Sequence, residues 1–93
     1  MGDTYITLSQ EEQDKITIDF YRGQERDAFC HRLNLQRYTA MLNSGISGDW
    51  RQRVLALKTE TEKRLAEVVS IMDATKPQLP SQEVINKYMS EAG

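Results

Sequence analysis

The chain reads as all-α: an antiparallel helical hairpin, with a short N-terminal helix before it and a C-terminal helix after a proline-bounded linker. Three observations carry that expectation. From Ser47 to Ala74 no Gly or Pro follows Gly48, and Trp50, Val54, Leu57, Thr61, Leu65, Val68 and Met72 recur at spacings of 4, 3, 4, 4, 3 and 4. Such spacing keeps one stripe on one side of a nearly straight helix. Residues 24–43 also lack Gly and Pro, and Ala28, His31, Leu35, Tyr38 and Leu42 recur at 3, 4, 3 and 4. Between the two stretches lies Asn43-Ser44-Gly45, whose Asn and Gly tolerate a left-handed C-cap. Helices joined by so short a connection fold back antiparallel.

Taken in order, residues 1–8 are an arm, extended over Thr4-Tyr-Ile-Thr-Leu8 because its residues are β-branched and aromatic. Ser9 and Glu12 stand three apart as a capping box, so a helix is expected over 9–22, with Gly23 as its stop. A hairpin competes there, since Ile16, Ile18 and Phe20 alternate as in a strand. The intervening residues hold no Gly or Asn for a tight turn, which favours the helix. The hairpin helices follow at 24–43 and 49–75, with Ser47 or Asp49 available to cap the second. Pro77 and Pro80 end it, because a residue before proline is pushed toward extended geometry. Ser81 caps a last helix over 81–91 with Val84, Ile85, Tyr88 and Met89 as its apolar side, and Leu79 is expected to dock the linker.

The totals bound the class. With 93 residues the chain is one domain, and 39% apolar with 28% charged residues describes a folded soluble protein. No apolar run reaches the ~18 residues of a membrane span, so no membrane is expected among the partners. The first residues hold neither a basic nor an apolar leader region, and Cys30 is the single cysteine, so a cytoplasmic setting is expected. The net charge of −2 is unevenly spread: residues 1–21 are acidic, whereas residues 22–53 hold six basic groups, all Arg, against three acidic ones. The expectation is that these arginines pair with the acidic N-terminal segment.

Little in the chain suggests catalysis. Cys30 and His31 point about 100° apart on a helix and no other Cys or His completes a metal site. They are expected to be a helix-interface histidine and a small buried thiol, with no metal and no cofactor. A nucleophile needs a base oriented by a third group, and no serine here has one. Neither a GxGxxG nor a Walker pattern occurs. The chain is therefore expected not to be an enzyme.

What remains points to association. Tyr21, Arg22, Arg37, Tyr38, Trp50, Arg51 and Arg53 are of the residue types that dominate binding hot spots, and they are the expected protein-binding residues. The helix over 24–43 is too short to cover the whole long stripe, so Leu65, Val68, Val69 and Met72 are the expected oligomer interface. The expected function is a helical protein–protein interaction or oligomerisation module, with another protein or a second copy as partner. Its size and acidity suit an accessory or structural protein of phage or plasmid type. The alternative is a small helix-turn-helix DNA-binding regulator on residues 24–45, which needs a turn at Asn34-Leu35. The acidic total disfavours a nucleic-acid partner.

Overall fold

The structure, a computed structural model, describes residues 7–92. The proposed extended arm lies mostly outside them; Thr7 and Leu8 have no regular structure. The elements are α1 (Gln10–Asn43), α2 (Gly48–Thr75), a single 3-10 turn over Lys76–Gln78, and α3 (Gln82–Ala92). The fold is all-α, and its two long helices pack as an antiparallel hairpin.

α1 is one helix of 34 residues, where a break at Gly23 was expected. Its start follows the capping box: Glu12 N–H donates to Ser9 Oγ at 3.1 Å, and Ser9 N–H donates back to the Glu12 carboxylate at 3.3 Å. Gly23 does not stop the helix because its φ is not positive, unlike those of Gly45 and Gly48. A helical Gly costs only about 1 kcal/mol relative to Ala, and the helix formers Gln24, Glu25 and Arg26 carry the turn through. The helix is equally continuous at Asn34, so the turn that a helix-turn-helix on residues 24–45 requires is absent.

The bend falls where the sequence places it. Ser44 donates through both its N–H (3.1 Å) and its hydroxyl (2.6 Å) to the Met41 carbonyl, and Gly45 follows at φ +91°. Ser47 occupies the N-cap of α2 in extended geometry, but its side chain makes no capping hydrogen bond.

Val54, Lys58, Thr61, Leu65, Val68, Met72 and Thr75 of α2 are buried fully or in part and form its seam toward α1, with Leu55 and Val69 half-buried beside it. The seam has a spacing of 4, 3, 4, 3, 4, 3, the seven-residue repeat of a left-handed seam. It differs from the expected stripe at two points. Leu57 and Trp50 are about half exposed, and Lys58 takes the inward place. Lys can do so because its long methylene stem covers apolar surface while the ammonium stays wet. Thr61 is buried as expected, and Thr75 satisfies its buried hydroxyl by donating to the Ile71 carbonyl at 2.7 Å.

α2 covers only the C-terminal part of α1. The prolines then redirect the chain, and α3 runs on along the N-terminal part. Ser81 Oγ accepts from Val84 N–H at 3.4 Å, the expected cap. Leu79 is half-buried in a groove with Ile18, Tyr21 and Ile85, so the linker does dock through it. Ile18, one of the most buried side chains at 2% exposure, borders both grooves that α3 forms with α1. The result is elongated. Its radius of gyration is 19.4 Å and its principal extents are 64 × 36 × 22 Å. A compact domain of this length has a radius of gyration of about 12 Å.

Candidate functional site

Burial is sparse, and that sparseness locates the candidate surfaces. Among the described residues the buried apolar side chains are Ile18, Ala28 and Val54, while ten large apolar side chains stand at least 36% exposed. The total accessible surface is 7111 Å² for 10.7 kDa. A typical folded monomer of that mass exposes about 5,500 Å².

Six of these ten fall into two groups; the others, Leu8, Ile16, Val84 and Met89, lie at the N-terminal end of α1 and on α3. Trp50, Leu57 and Ile71 are 54%, 49% and 40% exposed and, with Arg64, lie seven residues apart on one line of α2. That line runs beside the seam, on the side where His31 of α1 shares a groove with Arg64 and Val68. Phe20, 48% exposed and eleven residues before His31, lies on the same side of α1. Together they form an apolar edge along the hairpin. The second group is Phe29 and Leu33, with Cys30 beside them, on the side of α1 turned away from α2.

Cys30 is exposed, which corrects the expectation of a buried thiol. Its neighbour His31 faces α2 and is half-buried as expected, and the roughly 100° step between them turns Cys30 outward. Among the described residues no three His, Cys, Asp or Glu side chains come together around a metal-sized site.

The arginines are not paired as expected. Among the described residues the ion pairs are Lys15–Glu11 at 3.4 Å and Arg64–Glu60 at 3.2 Å, both within one helix. The acidic N-terminal groups serve other roles instead. Glu12 closes the capping box, Asp14 accepts from Gln10 at 2.8 Å, and Asp19 accepts from Tyr88. Arg51 donates to the Leu42 carbonyl at 3.4 Å and so braces the bend.

The seven expected protein-binding residues do not form one site. Trp50, Arg51 and Arg53 stand exposed at the bend, and Arg37 is exposed further along α1. Tyr38 is half-buried in the seam. Tyr21 and Arg22 lie beside the linker and α3, about 33 Å from the bend along α1. Of the four residues expected to meet a second copy, Leu65, Val68 and Met72 lie in the seam and are half-covered by α1, whereas Val69 borders a shallow groove with Leu35. The seven-residue recurrence of Trp50, Leu57, Arg64 and Ile71 was present in the sequence and would have pointed to the edge.

α3 is tied down at one point. The Tyr88 hydroxyl lies 2.9 and 3.0 Å from the two Asp19 carboxylate oxygens, and Lys15 Nζ sits 5.8 Å from the centre of the Tyr88 ring. The hydrogen bond to Asp19 holds the Tyr88 phenol above its ordinary value of 10.0. Desolvation and the Asp19 charge act in the same direction, while Lys15 and Arg22 oppose them.

Among the described residues no helix is long and apolar enough to cross a membrane. In comparisons with known proteins the chain matches no family model, no curated protein and no solved structure.

Proposed function

We propose that this protein is a non-enzymatic helical association module that pairs with a second copy of itself along the apolar edge of its hairpin. The observation that carries this is the line of Trp50, Leu57 and Ile71 with Phe20 beside it, exposed along one edge of a molecule with so small a core. Side chains of this size hold about 150–250 Å² when free, so the four leave roughly 350–400 Å² of apolar surface per copy. Two copies together offer roughly 750 Å², and interfaces are about 60% apolar. The implied total of about 1,200 Å² is the lower limit of a stable interface.

The edge also suits a two-fold arrangement. Its apolar residues lie toward both ends, Phe20 and Ile71 toward one and Leu57 and Trp50 toward the other, and Arg64 between them is charge-paired with Glu60 at 3.2 Å, so a two-fold contact does not bring unpaired cations together. Turning one hairpin end over end places each apolar end against the other, which closes a four-helix bundle.

Light scattering and sedimentation test this directly. The expected mass is twice 10.7 kDa at micromolar concentration. Leu57→Asp should return the mass to that of one chain with the helical circular dichroism retained, because Leu57 is 49% exposed and outside the seam. A single-chain mass for the unaltered protein up to millimolar concentration would refute the proposal.

A further inference from the structure

The outward side of α1 carries a second surface of different chemistry. Arg22, Arg26, Phe29, Leu33 and Arg37 follow one another at spacings of 4, 3, 4 and 4, and all are exposed. Phe29, at 60%, is the most exposed large apolar side chain among the described residues, and Leu33 is 37% exposed beside it. Arg32 adds a fourth cation on one flank of the line, where Glu25, seven residues before it, borders α3; Asp27 lies on the other flank, toward α2. None of these four arginines has a carboxylate within ion-pair distance among the described residues. Two apolar side chains flanked by guanidinium groups without ion-pair partners are therefore held out on the side of α1 turned away from α2, with Arg22 at the end that borders α3.

We infer that this face docks an acidic amphipathic helix of another protein. Each part of the face argues for that occupant. Guanidinium groups bind carboxylates in a planar, bidentate manner, which makes Arg rather than Lys the fitting residue here. Phe29 and Leu33 supply the apolar anchor that a ring of polar contacts encloses at a binding hot spot. The line from Arg22 to Arg37 spans about 22 Å, so a partner helix of about four turns covers it. That partner presents apolar residues at i, i+3 or i+4, and i+7, with Asp or Glu on both sides of them.

A second copy does not fit this face, because a two-fold contact would bring the same arginines against each other. A nucleic acid fits less well, since phosphates would satisfy the arginines but leave Phe29 and Leu33 without an apolar partner. The face is separate from the hairpin edge, so it does not depend on self-association.

The test is fluorescence anisotropy on the full chain with three labelled probes. One is a synthetic helical peptide of about four turns with a leucine stripe flanked by Glu, the second is its twin with Lys for Glu, and the third is a short DNA duplex. The acidic peptide should bind, more weakly as salt is raised, and the Lys twin should not. Arg26→Glu combined with Arg37→Glu should weaken binding at least about tenfold, and Phe29→Ser should do likewise with the thermal midpoint unchanged. Equal binding of both peptides, no binding of the acidic one, or tighter binding of the duplex would each overturn the inference. The light-scattering mass of the double arginine variant should match that of the unaltered chain, so a failure here is distinguishable from a failure of self-association.

Discussion

Replacing Gly23 with Ala should make this protein more stable. Gly23 lies inside α1 with no positive φ, and a Cβ built on it meets no atom within 4 Å. Steric cost is therefore absent, and the gain is that of Ala over Gly in a helix, about 0.8–1 kcal/mol, much of it from the reduced freedom of the unfolded chain. For a domain of this size that corresponds to a rise of about 4–8 °C in thermal midpoint. Gly45 supplies the control. Its Cβ would also meet nothing within 4 Å, but its φ of +91° lies where a side chain strains the backbone. Gly45→Ala should lose about 1–2 kcal/mol. The two variants should thus differ by about 2–3 kcal/mol although both positions are sterically open. Urea unfolding followed at 222 nm measures this, at one fixed protein concentration because association raises apparent stability. A Gly23→Ala protein that is unchanged or less stable would show that the chain bends at Gly23, and the continuous α1 would be refuted.

Two further predictions concern the core and α3. Val54→Ala removes two methyl groups from a site 1% exposed in the seam. At about 0.8 kcal/mol for each, with a cavity left behind, it should cost about 2–3 kcal/mol in urea unfolding, and a loss below 0.5 kcal/mol would contradict the packing described. Tyr88→Phe removes the donor to Asp19 and should speed hydrogen exchange in α3 while leaving α2 unaffected. Because the Tyr88 phenol is raised in the folded chain, its contribution is complete below its ordinary value of 10.0 and is lost as pH rises past that value. Helicity should therefore fall above that pH in the unaltered protein more than in Tyr88→Phe, and identical alkaline profiles would show that the hydrogen bond does not anchor α3.

Much of the architecture was legible because local signals agreed with one another. The capping box at Ser9 and Glu12, the Asn-Ser-Gly bend, the prolines after Thr75 and the cap at Ser81 each lie where the sequence places them. The failures share one cause, which is that burial is decided by what lies opposite. Gly23 resembles a terminator, yet the favourable residues after it and the packing of α3 over Ile18 continue the helix. Leu57 outranks Lys58 in hydropathy, but the seven-residue repeat that α1 imposes turns Lys58 inward. The same rotation exposes Trp50 and Leu57, so the candidate edge is one position around from the residues expected to form it. The arginines were expected to find partners in the acidic N-terminal segment. The helix instead carries those carboxylates past them, to a cap, a glutamine and a tyrosine.

The proline joint after α2 divides the interior into two unequal compartments. Val54 and Ala28 are sheltered by the pairing of the long helices, but Ile18 stays dry under Leu79 of the linker and the eleven residues of α3. A helix that short is marginal alone in water, so the small compartment opens as soon as its roof lifts. The molecule should accordingly come apart in two acts, the C-terminal end first and at little expense, the hairpin later and as a whole.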